Sequence, residues 1–447
     1  MRDIGRGRVA LSHSTRRSTG QHRDARSGMQ LDPQDELLLH FVGNCFGANP
    51  PKAIGVAVSG GGDSTALLHL MHHWAGGAGV TLHAVTVDHG LRDAAAGEAK
   101  TVARICAGLG INHSTLHWTG WDGKGNLQDQ ARRARYGLMA GWARERGIEM
   151  IALGHTVEDQ AETFLMRLAR GSGVDGLSGM ASRRHADGVT WVRPVLLQRR
   201  QDLRDYLQRH GIGWIDDPTN EDERFDRVKI RKAMQVLADL GMDAERLAGT
   251  AQDLGIARCA LELQTQEVAE RTVAIENGDV VLDRRQYRQL PLEIRDRLTT
   301  HALCWVSSAK YRPRRAALSD VGYAILKGKA STLHGCLITA NKNSIRITRE
   351  YQAVKDTVCA TDATWDNRWR LIGPHETGLE IRALGAAGLA ECPEWRATGM
   401  PRRSLLASPA VWKKDSLIAA PLAGLGNGWR TKALFGLDHF ISSIISH

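Results

Sequence analysis

Two short stretches hold most of the side chains able to do chemistry. In Ser59-Gly60-Gly61-Gly62-Asp63-Ser64 three glycines lie between hydroxyls, after the apolar run 54–58 and before the apolar helix pattern that starts at Ala66. Glycines let a backbone approach an anion closely, and the N–H groups at a helix start add donors and partial positive charge, so this is the pattern of a phosphate site. A Walker loop places a lysine after its last glycine; here Asp63 stands there, and a carboxylate beside phosphates suits a bound Mg²⁺. In the second stretch His155 follows the apolar run 150–153, and Glu158, Asp159 and Glu162 fall in the first turns of a helix. Asp159 and Glu162, three apart, share a face; acids placed so serve either as caps and dipole partners or as acid–base groups. Asp88-His89-Gly90-Leu91-Arg92 closes another apolar run, as a turn or as a contact to adenosine or phosphate. Gln128, Arg132 and Arg135 repeat at spacings of four and three, a stripe that suits a solvated face or a phosphate-facing arginine.

The elements around these residues alternate. Strands are expected at 54–58, 80–87, 113–118 and 150–153, and helices from Ala66 onward and over 94–109, 126–146 and 157–170. That rhythm is the one of an α/β protein with a doubly wound parallel sheet, whose ligands sit beyond the carboxyl ends of the strands. Each chemical stretch falls at such an end. Beyond the loop 170–180 the chain turns basic: Arg183, Arg184, Arg199, Arg200, Arg204 and Arg209, then Arg224, Arg227, Lys229, Arg231 and Lys232. Beside a nucleotide site these read as a track for RNA phosphates. Residues 242–271 are helical and alanine-rich, 280–326 read as mostly helical, and 332–350 alternate like a strand pair. Short strands are expected at 369–372, 405–412 and 416–420.

Bulk properties narrow the class. Fifty-nine basic against 49 acidic side chains give a net charge of +10, which suits a polyanionic partner. The seven cysteines form no Cys-x-x-Cys pair, so zinc-ribbon and dithiol chemistry lack their ligands, and scattered thiols suit a reducing cytoplasm. No apolar run has the length of a bilayer span, so no membrane partner is expected. The first 28 residues carry seven arginines and no apolar core, unlike a secretory signal; a disordered arm is the preferred reading over a transit peptide, an RNA-binding arm or a true start at Met29. The expected organisation is a basic tail (1–30), a catalytic domain (31–240), a mostly helical middle domain (241–350) and a small β-rich C-terminal domain (351–447). Oligomeric state is left open, a homodimer being compatible with the sequence.

The Ser-Gly-Gly-x-Asp-Ser stretch resembles the pyrophosphate loop of the ATP pyrophosphatases (PP-loop, adenine nucleotide alpha hydrolase-like fold), which cut ATP between the α and β phosphates. Taken with 87–92, the 126–136 helix, 154–163, 170–180, Arg193-Pro194-Val195-Leu196 and 217–231, the chain resembles the tRNA(Ile)-lysidine synthetases. It departs at Thr156, where a second histidine is common, and at Val228-Lys229, where Asn-Arg is usual. The resemblance implies an ATP- and Mg²⁺-dependent ligase that adenylates the wobble cytidine of a CAU-anticodon tRNA(Ile) and then lets free lysine displace AMP. It implies that Ser59, Gly60, Gly61, Gly62, Asp63, Ser64, Asp88 and His89 bind the nucleotide, Asp63 helping to place Mg²⁺. Arg132 would neutralise the α-phosphate, and Asp159, with His155 beside it, would orient and deprotonate the lysine amine. Arg227, Arg231 and Lys232 would bind tRNA. Related thiolases commonly use paired cysteines, which are absent here.

Overall fold

The computed structural model describes residues 32–90, 94–119, 127–216, 226–309 and 311–445. Leu91, Arg92, Asn126, Arg224, the 217–220 stretch and the arm 1–28 therefore lie outside the described residues. Two compact units result: residues 1–172 with 179–251, and residues 173–178 with 252–447.

The first unit opens with α1 (Pro33–Asn44), capped by Asp32 accepting from the Gln34 N–H, with proline where its missing donor costs nothing. There follow β1 (Ala53–Ala57), α2 (Gly62–Ala78), β2 (Thr81–Asp88), α3 (Ala94–Gly108), β3 (Asn112–His117), α4 (Leu127–Glu145), β4 (Met150–Leu153) and α5 (Val157–Leu168), while the short α6 (Val174–Leu177) belongs to the second unit. Next come β5 (Arg183–Ala186), β6 (Val189–Val192), α7 (Arg200–Arg209) and α8 (Asp226–Asp239). The sheet order is β3-β2-β1-β4-β6-β5. All pairs are parallel except β5–β6, so the expected doubly wound sheet is present with an antiparallel edge hairpin that the periodicity did not announce. β1 is central and its Ile54 and Val56 are fully buried; Leu67, Leu68 and Met71 of α2 cover one face of the sheet, Met139, Trp142 and Ala143 of α4 the other.

In the second unit α9 (Ala244–Thr272), which crosses the division at 251/252, leads into β7 (Val273–Glu276) and β8 (Asp279–Asp283). Residue 280 therefore opens inside a strand, where the sequence reading expected helix. Helices α10 (Arg284–Gln289), α11 (Leu292–Ser307) and α12 (Arg315–Lys327) follow, then β9 (Ser331–Leu333), β10 (Cys336–Ala340) and β11 (Ser344–Arg349). The expected strand pair is β10 with β11, set inside a five-stranded antiparallel sheet of order β7-β8-β11-β10-β9. Its core joins Val280, Leu298, Leu303, Ile338 and Ile347. The last segment builds β12 (Cys359–Ala360), β13 (Trp369–Ile372), β14 (Glu380–Ala383), β15 (Pro409–Lys413), β16 (Ser416–Ala419) and β17 (Arg430–Ala433). The strand expected over 405–412 begins only at Pro409, because Arg402–Leu406 is a helical turn.

Candidate active site

The glycine loop is held by its own hydroxyls. Ser59 N–H donates to Ser64 Oγ (3.1 Å), Ser64 Oγ–H donates to Gly61 O (3.0 Å), and Thr65 Oγ1–H donates to Gly60 O (3.1 Å). Gly60 has φ +89°, a backbone conformation that favours glycine, and a Cβ there would also press on the end of the Ile215 side chain at 2.7 Å. α2 starts at Gly62 behind the N-cap Gly61, with no side-chain cap on its first N–H groups. Donors aimed out of a helix start, at the carboxyl end of the central strand, form an anion cradle.

β4 ends beside this cradle because of a second glycine. A Cβ on Gly154 would stand 3.0 Å from Asp63 O and 3.1 Å from Ser64 Cα, so only a glycine lets the strand end approach the first turn of α2 this closely. α5 then begins with a capping arrangement: Asp159 Oδ2 accepts from Thr156 N–H (3.0 Å) and from Thr156 Oγ1–H (3.2 Å). Thr156 thus orients Asp159 directly.

The group joining the two stretches is Arg200, at the first position of α7. Its Nε–H donates to Asp63 Oδ2 (2.9 Å), its Nη2 lies 3.7 Å from Asp159 Oδ2, and its backbone N–H is shared by the two Glu158 oxygens (3.1 and 3.0 Å). The sequence reading placed Arg200 on a track for RNA phosphates; it faces inward instead, because three carboxylates surround it. A signal was available: a guanidinium in the first turn of a helix opposes the helix dipole and needs acids to offset it. Arg209 of the same track is also engaged, with Asp35, whose other oxygen is 2.7 Å from His210 Nε2.

Burial pushes the Asp63 carboxyl up, against the pull of Arg200, and the nearby Asp159 and Glu158 charges push it the same way. Burial also pushes Asp159 up, but His155, Arg200 and the Thr156 N–H outweigh it, and the group sits below the usual carboxylate range. His155 is pushed down to about 3 by burial and by Arg193, Arg135 and Arg132, against the pull of Asp159. The pair at neutral pH is therefore a neutral imidazole and a carboxylate. Arg132, with its guanidinium 5.2 Å from the Tyr136 ring centre, belongs to this cluster.

Asp88 and His89 stand at the end of β2, next to the cradle strand. Asp88 Oδ1 accepts from Gly90 N–H (2.8 Å) and Oδ2 lies 3.6 Å from His117 Nδ1, so Asp88 also braces its own turn, while His89 meets the Trp118 ring edge-on. Glu162 is fully buried: Arg231 Nε–H donates to it (2.6 Å), and Arg227 Nε lies 3.6 Å away. Arg227 and Arg231 thus point at α5, whereas Lys229 and Lys232 of α8 are exposed.

Among the described residues no group of three or more His, Cys, Asp or Glu encloses a metal. Asp63 offers a hard carboxylate oxygen beside the anion cradle, and such a donor fits Mg²⁺ when phosphate oxygens complete its shell.

A family model described as a PP-loop domain matches residues 34–237. The tRNA(Ile)-lysidine synthase of Ruegeria pomeroyi is 50% identical over 410 residues, covering 92% of this chain and 98% of that protein. That of Wolbachia pipientis wMel is 35% identical over 344 residues, covering 75% and 80%. The solved structure of the U34-tRNA thiolase NcsA from Methanococcus maripaludis is similar over 52% of this chain and 84% of its own, at 16% identity and a TM-score of 0.44.

Proposed function

Because this chain belongs to the tRNA(Ile)-lysidine synthase family, we propose that it ligates free lysine to C2 of the wobble cytidine of a CAU-anticodon tRNA(Ile), consuming ATP and releasing AMP and pyrophosphate. The observation that carries the reading is the convergence of Asp63, at the phosphate cradle, and Asp159, on the next catalytic helix, upon one guanidinium. One end of such a site suits a nucleotide and the other an amine.

In the first step cytosine O2 attacks the α-phosphorus and the bond to pyrophosphate breaks. The loop N–H groups at 60–62 and Arg132 face the charge that builds on the phosphates. Asp63 would hold Mg²⁺, which supplies further charge neutralisation when bound. In the second step the lysine ε-amine attacks C2, the C2–O bond breaks and AMP leaves. A free lysine amine has a pKa near about 10.4 and arrives protonated. One proton must first pass to solvent to give the nitrogen its lone pair; Asp159 orients the group and, with its carboxyl held low, accepts the second proton as the C–N bond forms and the nitrogen becomes acidic. Neutral His155 adds no positive charge to repel the incoming ammonium.

The basic surface of α8 and the second unit are the candidates for gripping the tRNA away from the anticodon, since two tRNAs sharing a CAU anticodon must be told apart elsewhere. Incubation with ATP, labelled lysine and CAU-anticodon tRNA(Ile), with elongator methionine tRNA as competitor, tests the reading. Label should enter the isoleucine tRNA alone; no incorporation, with a matched control enzyme active, would refute it.

A further inference from the structure

Arg200 sits where its charge is awkward for its own helix and useful for two others. It opens α7, against the dipole, and its backbone N–H is held by Glu158. Its side chain is 23% exposed, that of Asp63 is 22% and that of Asp159 10%. Two carboxylates from different elements, in so little water, repel unless a cation lies between them. The planar fork meets that need in a way a point charge could not: Nε engages Asp63 while Nη2 turns toward Asp159. Yet the Asp63 oxygen it engages is a carboxylate donor at the cradle, where a divalent cation would bind. A guanidinium bonded to that carboxylate and a dication on it would repel one another.

We propose that Arg200 is a positioning residue that stands in for the divalent cation in the nucleotide-free enzyme, holding Asp63 and Asp159 in place, and is exchanged for that cation when nucleotide binds. The exchange requires only the side chain to swing, because the Glu158 bond is made to the backbone. It follows that Arg200 competes with metal before nucleotide arrives and keeps a lone ion from settling in the cradle. This rests on the reading of Asp63 as the metal-side carboxylate, and the test separates the two.

The probe is Mn²⁺, titrated into the full chain without nucleotide, tRNA or lysine, with free Mn²⁺ read by electron paramagnetic resonance. Arg200→Gln should bind Mn²⁺ about tenfold or more tighter than the unaltered protein, a difference of about 1.4 kcal/mol. The gain should vanish in Asp63→Asn/Arg200→Gln. The metal-free Arg200→Gln protein should also melt lower than the unaltered chain and recover on adding Mn²⁺, which the unaltered chain should not feel. Equal Mn²⁺ affinity in Arg200→Gln and the unaltered protein would overturn the exchange. Should circular dichroism show Arg200→Gln unfolded, Arg200→Lys decides: it keeps one charge without the fork, so binding should tighten by a few-fold, and no change would overturn the proposal. Asp63→Asn, titrated with Mn²⁺ and α,β-methylene ATP together, reports on the underlying reading. Undiminished metal–nucleotide binding there would remove Asp63 from the metal side, whatever Arg200 does.

Discussion

Asp159 carries two duties, closing a helix cap and facing the amine, and they can be separated. Asp159→Asn keeps a side-chain acceptor for the Thr156 N–H but loses the charge, so ATP–pyrophosphate exchange on tRNA should persist while lysine transfer falls by about a hundredfold or more, as loss of a positioned general base does. Asp63→Asn should fail earlier, abolishing adenylation with tRNA binding retained. His155 gives a prediction in pH. The unfolded chain's imidazole takes up a proton near about 6.5, whereas the folded one waits until about 3. The unfolded state thus binds more protons in that window, and stability falls as pH drops through it. Between pH 6.5 and 5 this group should remove about 2 kcal/mol, and denaturant midpoints of His155→Asn should show a correspondingly flatter pH dependence.

At the scale of elements, α5 and α8 are joined through Glu162, which is fully buried, and the arginines of α8. Arg231→Ala would leave that carboxylate without its closest partner, costing about 3 kcal/mol by chemical denaturation because Arg227 stays 3.6 Å away, and would alter tRNA binding indirectly by loosening the site. A cleaner probe of tRNA grip is Lys229→Ala, an exposed residue, which should lower tRNA affinity and flatten its salt dependence while the melting temperature holds. Two elements escaped the sequence reading although their signals were present. The β5–β6 hairpin turns on Asp187-Gly188, with φ +55° and +80°, and the β7–β8 hairpin on Asn277-Gly278, with φ +48° and +81°. Asp-Gly and Asn-Gly are the pairs that tolerate two successive positive φ angles and so mark two-residue hairpins. Attention to apolar periodicity passed over them because both flanking strands are only four or five residues long.

For the whole molecule, the structure moves the proposed cut between catalysis and tRNA selection. Residues 241–251 belong to the first unit, where Leu247, Ala248 and Ala251 are buried, so truncation after residue 240 would strip part of that core. Residues 173–178, by contrast, belong to the second unit, in which Asp175 pairs with Arg297 and Arg312. A chain ending at 251 should therefore still bind ATP, measured by calorimetry, but transfer lysine slowly and discriminate poorly between the two CAU tRNAs. Equal rate and selectivity in the truncated chain would contradict this division of labour. The sequence by itself determined the parallel sheet, the glycine loop at the start of α2 and the acidic start of α5, because glycine geometry, strand–helix alternation and helix-start chemistry are local and are written within a few residues. Only the tertiary structure decided that Arg200 lies between Asp63 and Asp159 and that Arg227 and Arg231 face Glu162. Those pairings join residues from 41 to 137 positions apart, and whether an arginine is a solvated charge or a buried counter-ion depends on which carboxylates the fold carries to it.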